Sequence, residues 1–154
     1  MKNRMFTQPI KNKGELTMLE LLAEKEAATI EAIKTHIDSK GFWRAVPEVQ
    51  AEMLRALLLR LNIIWDTEIT LICDFGNAEM YRATGGGTYH SNTYTMTLYK
   101  ASIMTFLHEY GHALQGRTEE AARLWSHRMF KGALPRTYQN AVETGMFFHT
   151  VATE

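Results

Sequence analysis

One cysteine, Cys73, stands in the whole chain, so no disulfide can form within it, and a reducing, cytoplasmic setting is the expectation. Proline is nearly as scarce, with three in 154 residues, and no stretch is repetitive or of low complexity, which excludes fibrous and linker-like classes. Neither sign of charge dominates. Seventeen basic residues meet seventeen acidic ones, so direct nucleic-acid binding or adhesion to an anionic membrane through a global field is not expected. No run approaches the roughly 20 apolar residues of a membrane-spanning helix. Residues 1–14 carry Lys2, Arg4, Lys11 and Lys13 with no apolar stretch behind them, which fits a flexible basic arm and not a signal peptide. Residues 15–154 then have the length and the apolar share of a single domain that needs no covalent staple.

The pattern along that domain is helical, then extended, then helical. Thr17 and Glu20 form a capping box. Leu19, Ala23, Ala27, Ile30, Ile33 and Ile37 follow at gaps of three and four, one face of a helix that Gly41 should stop. Pro47 suits the first position of a second helix, with Met53, Leu57, Leu61 and Ile64 on one face. Residues 68–75 are rich in β-branched side chains and end at a Gly76-Asn77 turn. Residues 78–83 read as a second strand, and Gly85-Gly86-Gly87 as a flexible loop. Residues 93–99 alternate, putting Tyr94, Met96 and Leu98 on one face. Such a strand serves either as an ordinary member of a sheet or as an exposed edge that pairs with a peptide. From Ala101 the helical period returns through Ile103, Leu107, Tyr110 and Leu114 to Gly116. Thr118 can cap a helix to about residue 131, and a last one is expected from about 137 to 148. The expected class is α+β: N-terminal helices, a small antiparallel sheet, then a chemistry-bearing helix and C-terminal helices.

That helix contains His108-Glu109-Tyr110-Gly111-His112. Histidines four apart lie about 6 Å apart along the axis and about 40° around it, so both imidazoles reach one tetrahedral ion such as Zn2+. Glu109 stands beside the metal, placed to take a proton from a water there and pass it to a leaving amine. A random chain of this composition contains the pattern at odds of about 0.02. Gly111 allows another element, or the metal, to come close. With one cysteine, any metal must rest on nitrogen and oxygen, which suits an open catalytic zinc better than a thiolate-built structural one. A third protein ligand is needed. Glu119 and Glu120, just past the Gly116 turn, are both candidates, and both would also be stabilised in a helix's first turn by the macrodipole. Glu143 is the reserve.

Histidines 108 to 112, followed by the run from Glu120-Ala121-Ala122 through Leu124-Trp125 to Met129-Phe130 and then Ala133-Leu134-Pro135, resemble the ImmA/IrrE-type zinc metallopeptidases. The protease-like C-terminal domain of ArdC-type antirestriction proteins and the SprT-like proteases are similar more loosely. The resemblance covers roughly residues 94–135. It implies a zincin-like fold, with His108, His112 and Glu120 as zinc ligands and Glu109 as general base, because Glu120 directly precedes Ala121 as the family's ligand precedes its alanine. The spacing from His112 to Glu120 is shorter than most members show, and Leu124-Trp125 replaces a usual Phe-Ala pair.

Peptide hydrolysis also needs a donor for the developing oxyanion. Tyr89 and His90, after the glycine loop, and His127, seven residues beyond Glu120, are candidates for oxyanion or substrate contacts, and equally fit surface or packing positions. His36 falls on an apolar helix face and His149 near the terminus. Cys73 lies in a strand, as a structural thiol does. Five basic residues between Arg117 and Arg136 suit a solvated helix face. The resulting expectation is a zinc endopeptidase acting on a protein or peptide substrate, regulatory or DNA-associated. A metal-binding module that grips a repressor or restriction component without cutting it is the alternative, and a purely structural site would not require Glu109.

Overall fold

The structure is a computed structural model, and it describes residues 17–37, 39–115 and 118–145. The basic arm, the Gly116 turn with Arg117, and the segment holding Phe148 and His149 lie outside the described residues. Thr17 caps α1 (Met18–His36) as a reciprocal box: its Oγ1 accepts from the Glu20 amide at 3.0 Å, while the Glu20 carboxylate accepts from the Thr17 amide at 3.1 Å. Only the later part of the expected face is covered. Ile33 and Ile37 are fully buried, Ile30 is half-buried, and Leu19, Ala23 and Ala27 are exposed. Gly41 does not stop this helix. The chain leaves it at Ile37, whose extended backbone turns the side chain into the core, and Gly41 sits inside the short α2 (Ser39–Arg44).

Helix α3 (Pro47–Trp65) begins on its proline and buries Leu54, Leu57, Leu58 and Leu61. It packs along α1, where Thr29 joins the two. The Thr29 hydroxyl donates to the Lys25 carbonyl and accepts from the Trp65 indole, each at 2.8 Å. Strand β1 (Thr70–Cys73) is shorter than its β-branched run. The next segment is helix α4 (Ala78–Thr84), not a strand. Local chemistry decides this: the Asn77 side-chain Oδ1 accepts from the Met80 amide at 3.1 Å, and Gly85, at φ 81°, closes the far end in the left-handed conformation that glycine adopts without strain.

Strands β2 (Gly87–His90) and β3 (Thr95–Leu98) complete the sheet, in the order β1-β3-β2. The sheet is mixed, not antiparallel: β2 pairs antiparallel with β3, while β1 runs parallel to it because α4 and β2 carry the chain back before β3 begins. Residues 93–99 therefore supply the central strand and no edge. Met96 and Leu98 are fully buried as expected, but Tyr94 lies before the strand at φ 53° and is exposed. Three further helices follow: α5 (Ile103–Gln115), α6 (Glu119–Ala133) and α7 (Pro135–Glu143). The class is α+β, with one apolar core running from α1 through the sheet to α7. No helix among the described residues is long and apolar enough to cross a membrane.

Candidate metal centre

Helix α5 is fixed before it presents any chemistry. Ser102 starts it, its Oγ accepting from the Thr105 amide at 3.1 Å. Ile103, Phe106, Leu107 and Tyr110 are buried on one side. The Tyr110 hydroxyl meets Thr67 Oγ1 at 2.7 Å, and Thr67 in turn donates to Asn62 Oδ1 at 2.8 Å, so the helix is tied to the end of α3. Burial pushes the Tyr110 phenol up to about 12, so it remains a neutral hydrogen-bonding group. On a second side Gly111 lies against α6. A Cβ there would stand 3.2 Å from the Ala122 carbonyl and 3.2 Å from the Trp125 ring, tighter than ordinary packing. The close approach at Gly111 is that of another helix.

The remaining side faces a cleft of about 1290 Å³ walled by α5, α6 and β2. His108 and His112 stand on that wall with ring centroids 4.8 Å apart. The third group is Glu119. Its Oε1 lies 3.0 Å from His108 Nε2 and its Oε2 lies 3.0 Å from His112 Nε2. Donor atoms of the three residues fall within 4.8 Å of one another, a group that could hold a metal ion. Two imidazole nitrogens and a carboxylate are a donor set suited to a divalent ion of the zinc type. Burial, partly opposed by the Glu119 carboxylate, holds the His108 ring below the usual imidazole range and favours the neutral form that ligates.

Glu120, the ligand that the family resemblance implied, is not part of this group. The reason is helical phase. Along α6, residues 119, 123, 126 and 127 line the cleft, whereas Ala122, Trp125 and Met129 pack inward. Glu120 lies about 100° around the helix from Glu119 and is exposed outside the cleft. Polar Arg123, Ser126 and His127 at spacings of four, seven and eight from Glu119 are the sequence signal that identifies it. Glu143 closes α7 and accepts from the Gln139 amide nitrogen at 3.0 Å, away from the group.

Glu109 is buried at 8% exposure yet reaches the cleft. Burial, reinforced by Glu119 and opposed by His112, pushes its carboxyl up to about 7. The cleft also brings in Tyr89, His90 and His127, the three candidates for oxyanion or substrate contacts. His90 is exposed at the rim, and Tyr89 is half-buried with its phenol held up by burial. His127 is nearly closed off. Its Nδ1 lies 2.8 Å from the Tyr138 hydroxyl, and burial, with Arg123 and His108 adding to it, pushes the ring down to about 4. Tyr138 is a site neighbour with no sequence signal, since α7 brings it in from outside the motif. Cys73 is half-buried with its thiol raised by burial, away from the cleft. His36 lines a separate groove between α1 and α3.

No family model matches the chain, no curated protein matches its sequence, and no solved structure matches it.

Proposed function

We propose that this chain is a zinc-dependent peptidase of the ImmA/IrrE type, cutting a protein or peptide substrate. The observation that carries the reading is one buried carboxylate, Glu109, set in a cleft wall beside a His108/His112/Glu119 donor group. A structural metal site needs the three donors and has no use for Glu109. A zinc ion held by His108, His112 and Glu119 would supply Lewis acidity toward a water and a scissile carbonyl. Glu109 then takes the proton of the attacking water and delivers it to the departing amine, a task for a carboxyl whose affinity for protons is near neutrality. Tyr89 and His127 are neutral hydrogen-bonding groups in the same cleft, suited to a developing oxyanion. Strand β2 pairs only with β3 among the described residues and lines the cleft. It takes over the role foreseen for residues 93–99, pairing with an extended peptide along its other side.

Elemental analysis and peptide hydrolysis test this together. The protein is expected to hold one zinc, to lose it in Glu119→Ala and to keep it in Glu120→Ala. Glu109→Gln should retain zinc and lose hydrolysis by roughly 10²- to 10⁴-fold. Retained hydrolysis in Glu109→Gln sinks the mechanism. Tight zinc with no hydrolysis of any peptide or partner identifies the chain as the non-cleaving module instead.

A further inference from the structure

The cleft-facing row of α6 continues past the metal group. Glu119, Arg123 and His127 follow one another at four-residue steps, about 6 Å each along the axis. Arg123 is half-buried, and its Nε is shut off from solvent with no hydrogen-bond partner. Among the described residues its guanidinium meets no carboxylate: Glu119 directs one oxygen to each imidazole, and Glu26 of α1 is taken by Arg128 at 2.7 Å. Lys131, further along, lies over the Tyr138 ring. Arg123 is thus a cation of α6 that lines the cleft with no ion pair among the described residues and with its Nε free to meet an anion. Across the cleft Lys100 adds a second positive charge, and a divalent ion on the donor group would add more.

We infer that Arg123 is a carboxylate-binding subsite, and that the substrate carries a carboxylate one or two residues beyond the scissile bond. The distance sets the register. One turn of α6 separates Arg123 from Glu119, and an extended peptide advances about 3.3–3.6 Å per residue. The planar guanidinium fork matches a carboxylate by two parallel hydrogen bonds. An acidic side chain and a free C-terminus present the same group. Placing the carboxylate relative to a scissile bond rests on the peptidase reading; the binding of carboxylate by Arg123 does not.

The test is therefore a binding measurement on zinc-loaded Glu109→Gln protein. Short fluorescent peptides are compared in three arms: free C-terminus with no acidic residue, amidated C-terminus with internal Asp or Glu, and amidated C-terminus with Asn or Gln. At least one carboxylate arm should bind roughly tenfold or more tightly than the neutral arm. Which arm does so tells a terminal carboxylate from a side chain. The preference should vanish in Arg123→Gln and be partly retained in Arg123→Lys. Equal binding of all three arms overturns the inference without any variant, as does the absence of binding by the carboxylate arms. A preference that survives Arg123→Gln also overturns it. Failure of the peptidase reading shows separately, as peptides left intact by the unsubstituted zinc-loaded protein.

Discussion

Helix α5 has two faces built from the same spacing. Toward the core, Ile103, Phe106, Leu107 and Tyr110 are essentially without solvent contact, and Gly111 lets Trp125 and Ala122 of α6 press in. Toward the cleft, His108 and His112 keep 24% and 14% of their side-chain surface exposed, held to a carboxylate that is itself largely in water. One face carries the stability and the other carries the metal-donor group. The difference teaches that the reactive side is positioned by the inert one, because two imidazoles stay within reach of one carboxylate only while α5 and α6 are clamped on their far sides.

The sharpest way to break that division is on the inert face. Trp125 is 1% exposed and packs on both Tyr110 and Trp65, with ring centroids 6.1 and 6.2 Å away. Trp125→Ala should cost about 3–5 kcal/mol in chemical denaturation and weaken any metal binding by the donor group as a consequence. A next, smaller effect lies at the deep end of the cleft. The folded state holds His127 near 4 where an ordinary imidazole titrates at 6.5, so the unfolded chain binds more protons between those values. Its contribution is complete above pH 6.5 and disappears as pH falls toward 4. That loss should be on the order of 2 kcal/mol, less than the full shift implies because the cleft is wet, and it should flatten in His127→Gln. The least effect belongs to the chemical face. In metal-free protein His112→Ala should change stability by under about 1 kcal/mol, while zinc binding is lost. A penalty in that variant as large as Trp125→Ala would show that the two faces are not divided as described.

The parts of this arrangement that were legible in the sequence are those that depend on short-range pattern. The capping box at Thr17, the start at Pro47 and the two histidines one turn apart follow from residues within four positions of each other. The spacing narrows a third donor to the adjacent glutamates 119 and 120, and the resemblance points to Glu120. Choosing between neighbours requires the rotational phase of α6, which its inward row of Ala122, Trp125 and Met129 sets. Strand direction was not legible, because the parallel pairing of β1 with β3 depends on where α4 takes the chain. The six residues 78–83 are too few for their pattern to distinguish a strand from α4, and the Asn77 cap decides it.

Strand β3 lies in the middle of the sheet but comes last in the chain. During synthesis β1 and β2 emerge first and have no partner in this sheet until β3 follows, so the sheet assembles from its later end. The β2–β3 hairpin closes over a short loop, and β1 must then be recruited across some 25 residues, the slower step. Helix α5, threaded next, finds a surface already formed. The cleft wall is complete only once α6, which ends at Ala133, has been made and can dock on α5.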